Sequence, residues 1–289
     1  MKAAPFDYVV PDSIEAAVSH LAEGAGDAVV LAGGQTLMPL LALRMAQPGV
    51  VVDINRIREL SGVSRLDGAT RIGAITRQAE VLTDPTIAAH APAIAQAVRF
   101  VGHHQTRNRG TVGGSISLGE PAAELPCTAL TLGARIEARS TRGTRQIAAE
   151  DFYLGPYSNA LEPDELVTAL HFPDLPAGTI TVVHEIARRP GDFALVGLIC
   201  ALTVEGGAFS RARIGWFGMG PTPLRSPQAE QALVGQSLGD VDLTEIGRLA
   251  ASETDPLDDH HATAAYRRTV GARVFRRAVS QALEARKAA

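Results

Sequence analysis

The residues best suited to chemistry in this 289-residue chain lie in two separate glycine-rich stretches. In Asn108-Arg109-Gly110-Thr111-Val112-Gly113-Gly114-Ser115-Ile116-Ser117, three glycines fall within five positions. Glycine lets the backbone turn where a side chain would clash and lets a ligand approach the main chain. Thr111, Ser115 and Ser117 add hydroxyls that can donate to phosphate or ribose oxygens. The second stretch, Ala32-Gly33-Gly34-Gln35-Thr36, lies well upstream and has the same character. Main-chain N–H groups in a concave turn, followed by a helix N-terminus, suit a pyrophosphate. Two such loops, each ahead of an apolar helix-like run, imply one extended dinucleotide between two lobes.

Other chemistries lack their residues. No G-x-S-x-G elbow surrounds Ser115 or Ser117, and no Cys, His and carboxylate cluster has zinc spacing. No nucleophile–base–acid triad is present, so no residue is assigned a catalytic or metal-binding role. His103-His104 raises metal binding or covalent cofactor attachment. Adjacent residues of an extended strand point to opposite faces, which argues against a shared site.

The elements that must position these loops follow from periodicity. Asp12 or Ser13 can cap a helix in which Ile14, Ala17, Val18 and Leu21 share a face. A buried strand at 28–31 leads into the first loop, a helix at 36–45 follows, and Pro48-Gly49 breaks it before a strand at 50–53. This β–loop–α–β order raises a Rossmann fold, but neither its G-x-G-x-x-G fingerprint nor a Walker lysine is present. A hairpin at 62–73 closes at Asp67-Gly68. Thr76 is placed as the cap of a helix through Val81, and 85–100 is expected to be one alanine-rich helix. Residues 101–117 carry the second glycine stretch, and 121–132 is expected to be helical. Strands are expected at 134–139, 145–147 and 164–172. Pro173-Asp174-Leu175-Pro176-Ala177-Gly178 is the linker candidate. Strands at 181–187, 194–204 and 208–217 precede helices at 227–233, 244–251 and 264–284. In the last helix Tyr266, Val270, Val274, Ala278 and Leu283 form an apolar stripe, with Arg267, Arg268, Arg276 and Arg277 elsewhere around it.

Composition narrows the function class. Hydrophobic residues make up 46%, which fits packed lobes and argues against disorder. A net charge of −4 gives no bulk signature of nucleic-acid binding. Arg99, Arg107, Arg109, His103 and His104 form a local basic cluster, either a solvated face or a site for phosphate neutralisation or docking. Cys127 and Cys200 are the only cysteines. They are too few for a disulfide framework or for an iron–sulfur cluster held by this chain alone, and both are expected in the core. No apolar leader and no uncharged run of ~20 residues is present, so the expectation is a cytoplasmic protein without a membrane span.

Three strings, in order, resemble one family. Leu31-Ala32-Gly33-Gly34-Gln35-Thr36-Leu37-Met38-Pro39, with Arg44 following, is similar to the first flavin-binding motif of the molybdenum hydroxylase flavoproteins. Arg107 to Ser115, running on to Pro121-Ala122-Ala123-Glu124-Leu125-Pro126, resembles the second motif. Arg188-Arg189-Pro190-Gly191-Asp192-Phe193-Ala194-Leu195-Val196-Gly197 resembles the C-terminal signature. The family comprises FAD-binding medium subunits of carbon monoxide, xanthine and nicotine dehydrogenase-type complexes. The resemblance implies an α+β fold, a two-lobed FAD-binding domain of the vanillyl-alcohol-oxidase/PCMH type plus a small α+β C-terminal domain. That last domain would be a three-stranded antiparallel sheet with helices. Lobes at 1–55 and 56–175 and a C-terminal domain at 178–289 are expected.

The resemblance further implies non-covalent FAD held by Leu31, Ala32, Gly33, Gly34, Gln35, Thr36 and Leu37. Val101, Thr111, Gly113, Gly114, Ser115, Ser117 and Glu124 would contribute from the second motif. Leu161, His184 and Asp192 would approach the ring system or the pocket beside it. By its own chemistry Leu37, like Leu40, would face the core, Glu124 would be a surface carboxylate and His184 a structural residue. The chain departs from the family at Leu118-Gly119-Glu120, where His-Ala-Asp is common in close relatives. The implied partners are a small subunit with two [2Fe–2S] clusters and a large molybdopterin subunit, assembled as a dimer of heterotrimers. An external acceptor such as NAD, a quinone or O2 would take the electrons. Two other readings keep the sequence: a self-contained flavin oxidase or reductase, and a non-redox nucleotide-binding scaffold.

Overall fold

The computed structural model describes residues 2–288. At the N-terminus β1 (Asp7–Val9), α1 (Ile14–Glu23), β2 (Ala28–Leu31), α2 (Leu37–Leu43) and β3 (Val50–Asp53) build a small parallel sheet of order β1-β3-β2. Ser13 starts α1 by accepting a hydrogen bond from the Ala16 amide, 3.2 Å. Ile14, Ala17, Val18 and Leu21 pack with Val52, Ile54, Ile57 and Leu60 beneath that sheet. The β-loop-α-β order thus forms with its glycines serving a geometry other than the Rossmann turn.

A five-stranded antiparallel sheet follows, order β4-β5-β10-β6-β7, from β4 (Val63–Leu66), β5 (Ala69–Gly73), β6 (Arg135–Ser140), β7 (Gly143–Ala148) and β10 (Leu166–Pro173). Between β7 and β10 lie α9 (Ala149–Phe152) and the ribbon β8 (Tyr153–Gly155) and β9 (Ser158–Asn159). The β4–β5 turn has φ of 48° at Asp67 and 74° at Gly68, as a tight hairpin requires. Helices α3 (Gln78–Val81), α4 (Pro85–His90), α5 (Pro92–Val98), α6 (His104–Arg109), α7 (Val112–Leu118) and α8 (Glu124–Leu132) fill the stretch from β5 to β6.

Three sequence expectations change here. The helix at 85–100 is two helices, because Pro92 drives Ala91 out of helical geometry, to φ −144°. Thr76 caps nothing; its hydroxyl accepts from the Gly62 amide at 2.9 Å, and Arg77 occupies the cap position of α3. The second glycine stretch is helical, with Gly113 and Gly114 in the first turn of α7.

The last unit is β11 (Thr179–Ile186), β12 (Val196–Glu205), β13 (Ala208–Phe217) and β14 (Leu224–Arg225), with α10 (Pro227–Leu233), α11 (Leu243–Ser252) and α12 (Ala264–Ala288) on one face. Its sheet therefore has four strands where three were expected; the two-residue β14 is too short to leave a periodic signal. Arg267, expected off the apolar stripe of α12, is nevertheless buried. Its guanidinium donates to the Leu195 and Gly218 carbonyls and to Asp259. The opposite face of the sheet, through Val183, Ile199 and Phe217, packs with Cys127 of α8. At Gly215 a Cβ would stand 1.8 Å from Thr131 Oγ1, so α8 lies directly on the strand. Every residue of α8 is buried, as expected of a helix enclosed on all sides.

Candidate functional site

The first glycine loop leaves β2 at Leu31 and is tied down from behind. The Leu31 carbonyl accepts from the Ile54 amide at 3.1 Å, and the Ala32 carbonyl accepts from Asn55 Nδ2 at 2.8 Å. Asn55 is held by Asp53 Oδ1 and accepts from Arg77 at 2.6 Å, while the other arm of Arg77 donates to the Arg109 carbonyl. One guanidinium thus bridges the two motifs. The loops also touch, since a Cβ on Gly33 would lie 2.4 Å from the Arg109 carbonyl oxygen. Burial, then the charge of Arg109, lowers the Arg77 pKa.

This tethering consumes carbonyls and leaves amides. Among the described residues, the N–H groups of Gly33, Gly34, Gln35, Thr36 and Leu37 donate to no protein acceptor. Gly34 has φ +72°, a conformation that favours glycine, and Thr36 at the start of α2 makes no side-chain cap. Consecutive free amides in such a turn form an anion-binding concavity.

The second motif is built in the opposite sense. The Val112 and Gly113 amides donate to the Thr76 and Ala74 carbonyls at 3.0 and 2.8 Å, and the Gly114 amide to Thr111 Oγ1 at 3.1 Å. The first turn of α7 is therefore spent on the protein itself. What it offers a ligand is the hydroxyls of Thr111, Ser115 and Ser117 and the bare surface of Gly114. Gly113 serves packing, because its Cβ would sit 2.6 Å from that of Ala74.

Between the motifs lies a cleft of about 660 Å³. It brings together Ala32, Gly33, Gly34, Gln35, Thr36, Leu37, Val101, Thr111, Gly113, Gly114, Ser115, Ser117, Glu124, Leu161 and Asp192. Leu37 and Leu40 line it instead of facing the core. Two expected residues stand outside. Leu31 lies behind the loop, where its side chain would touch a Cβ on Gly34. His184 shares the face of β11 with Ile180, Val182 and Ile186, which pack toward the α10–α12 helices. Burial, then the charge of Arg277 on α12, lowers its pKa. Its neighbour Glu185 points the other way, toward Glu124.

The carboxylates of this region are perturbed. Glu124 is 6% exposed, and burial raises its pKa to about 7. Glu185 is raised to about 8, by burial first and the charge of Glu124 second, and its Oε2 has no partner. Arg107 opposes the rise at Glu124 while donating to the Val101 and Gly102 carbonyls at 2.8 and 2.9 Å. Glu120, on the cleft wall, accepts from the Ala122 amide and the Tyr157 hydroxyl.

Sequence reasoning assigned no role to Arg77, Asn55, Gln78 or Phe193. Gln78 lines the cleft with its Oε1 buried and unpartnered, and Phe193 lines it while 64% exposed. Phe193 follows Asp192 in the C-terminal signature, so that string was its only signal. Gly191, at φ +86°, brings this loop against His103, whose ring a Cβ would strike at 2.4 Å. Among the described residues no His, Cys, Asp and Glu group could hold a metal ion, and no helix is long and apolar enough to cross a membrane. Free amides, hydroxyls, bare glycine surface and an aromatic ring on one cleft fit a phosphate-bridged cofactor with flat rings.

Comparison with known proteins covers nearly the whole chain. Residues 4–175 match the family described as the FAD binding domain in molybdopterin dehydrogenase, and 181–282 the CO dehydrogenase flavoprotein C-terminal domain. The chain is 39% identical over 284 residues to the 6-hydroxypseudooxynicotine dehydrogenase complex subunit alpha of Paenarthrobacter nicotinovorans, covering 98% of this chain and 96% of that one. A solved carbon monoxide dehydrogenase of Hydrogenophaga pseudoflava, described as lacking the Mo-pyranopterin moiety of the molybdenum cofactor, superposes with TM-score 0.94 at 32% identity, covering 98% of this chain and 99% of that one. Quinoline 2-oxidoreductase from Pseudomonas putida 86 gives TM-score 0.93 at 33% identity, with 99% of each chain covered.

Proposed function

The chain belongs to the family of FAD-binding medium subunits of molybdenum hydroxylases, the carbon monoxide, xanthine and nicotine dehydrogenase type, and from that membership we propose how it works. Bound non-covalently, FAD would supply the electron carrier between [2Fe–2S] clusters of a small partner subunit and an external acceptor, NAD, a quinone or O2. A large partner carries the molybdopterin centre, and two such heterotrimers pair in the cytoplasm. Relatives named as a complex subunit and as medium chains support a multi-subunit assembly.

The chain's own residues bind and orient. The amides from Gly33 to Leu37 hold the pyrophosphate, and the dipole of α2 adds to their field. Thr111, Ser115 and Ser117 hydrogen-bond the sugar portions, and Gly114 keeps the facing wall flat. Glu124, with Arg107 nearby, receives ribose hydroxyls. Phe193, exposed and aromatic, offers its ring face to the flat ring system. No side chain is required to act as acid or base on an organic substrate, so the protein's task is positioning and electrostatics.

The observation that carries this reading is the run of five free amides facing the Thr111–Ser117 hydroxyls across one cleft. The test is a visible spectrum of the purified chain before and after acid precipitation. We expect flavin bands that move to the supernatant as FAD, and a Gly114→Val variant that folds by circular dichroism but is colourless. A wild-type chain that cannot be reconstituted with FAD overturns the proposal. Colour that stays in the pellet overturns its non-covalent part and points to His103 or His104.

A further inference from the structure

A second concavity, about 1020 Å³, lies between α11 and α12 and shares no residue with the cofactor cleft. Its walls carry Arg248 from α11 and Arg268, Arg273, Arg276 and Arg277 from α12. Arg273, Arg276 and Arg277 fall within about 100° of the circumference of α12, at ~3.6 residues per turn, and Arg268 reaches the same groove from nearer the helix start. Elsewhere Arg65, Arg142, Arg145, Arg213 and Arg225 each meet a carboxylate. In the groove only Arg268 does, at 3.9 Å from the exposed Asp255. Among the described residues Arg248, Arg273, Arg276 and Arg277 have no ion pair. Arg267, one step along the same helix, is by contrast buried, and both of its terminal nitrogens donate, to Leu195, Gly218 and Asp259.

A chain with net charge −4 thus gathers five guanidinium groups around one groove. Like charges three or four residues apart on a helix oppose its stability. Arg268 donates to the Thr254 carbonyl and Arg248 acts on the charge of Asp242, but no such partner serves Arg273 or Arg276 among the described residues. A concave wall of one sign focuses the field and raises the local concentration of anions. Ala251, Ala272 and Ser280 keep the floor low, so a main chain can approach. Among the described residues no aromatic side chain lines the groove, which removes the stacking platform of single-stranded nucleic acid. Among the described residues its only apolar side chains are the methyls of Ala251 and Ala272, too small for the wedge of a membrane-surface helix. Arg268 to Arg277 extends about 14 Å at ~1.5 Å per helical residue, the length of four or five extended residues. Guanidinium groups pair with carboxylates in two-point geometry.

We propose that this groove docks an acidic segment, several Asp or Glu residues long, of a partner protein, independently of the cofactor cleft. The probe is a fluorescein-labelled hexaglutamate peptide titrated with the full-length chain at low and high salt, beside oligo-dT and phosphatidylserine vesicles. Expected is peptide binding that salt weakens and that Arg273→Glu with Arg277→Glu lowers at least about tenfold. Arg248→Glu, on the other helix, gives the same loss. Both variants melt no lower than the wild type and keep its visible spectrum, which separates this result from failure of the cofactor assignment. Absence of peptide binding, binding that survives both variants, or tighter arginine-dependent binding of oligo-dT or vesicles overturns the proposal.

Discussion

Glu124 and Glu185, the second within reach of the first one's charge, both hold their protons far above the ordinary carboxylate value of 4.5, to about 7 and about 8. Burial is the first cause for each. The consequence for stability has a definite sign. Between about pH 4.5 and 8 the folded chain binds more protons than the unfolded one, so stability falls as pH rises through that window. Glu137 acts in a separate range. Its hydrogen bond to His171, helped by Thr168 and Arg71, draws its pKa down to about 2, so its contribution is present above 4.5 and lost as pH falls toward 2. For the FAD-free protein we expect a melting temperature that declines from pH 5 to 8.5 and a Glu185→Gln variant in which the decline is flattened. A profile unchanged by the substitution would remove Glu185 from this account. Glutamine also keeps the shape while abolishing a charge that has no partner for Oε2.

At the scale of elements, the two motifs divide the labour that their similar composition conceals. The loop before α2 leaves its amides open, whereas α7 docks its own amides on the Ala74 and Thr76 carbonyls. Gly113 is what allows α7 to lie against the end of β5. A Gly113→Ala change forces a methyl to within 2.6 Å of the Ala74 Cβ. It is expected to cost about 1–3 kcal/mol of stability by overpacking. Gly155→Ala, whose Cβ would meet only Ser158 at 4.0 Å, is expected to change little. Urea denaturation of the two variants checks this; equal effects would refute the packing role. The sequence placed Gly113 beside Gly114 in one motif without separating their roles, because the distinction lies in which neighbour each one meets.

For the molecule as a whole, α8 is the joint. One side packs in the core of the five-stranded sheet through Leu125, Ala129 and Leu132, and Cys127 packs with Val183, Ile199 and Phe217 of the C-terminal sheet. Residues 174–178 join β10 to β11, with Leu175 packed against the core of the five-stranded sheet. Residues 1–175 alone would expose that side of α8 to water. They are expected to aggregate or bind a hydrophobic dye, while the full chain unfolds in one cooperative transition. A soluble 1–175 fragment with its own sharp transition would show that α8 does not couple the two parts. Coupling of this kind also holds the 188–193 loop, and with it Phe193, over the cleft.

The sequence by itself determined most of the elements and the family. Periodic burial marked α1 and α10–α12, Asp67-Gly68 marked the hairpin, and three ordered strings marked the flavoprotein. Such signals are local: side-chain spacing, turn residues and short motifs are written within a few positions. What only the tertiary structure decided is non-local. His184 and Glu185 differ by one position in a strand, and register on β12 sends the first toward α12 and the second toward Glu124. Arg77, unremarkable in sequence, becomes the bridge between Asn55 and Arg109 because the fold brings three distant segments within reach of one guanidinium. The five open amides before α2 and the spent ones of α7 differ in what lies behind them, which composition does not encode.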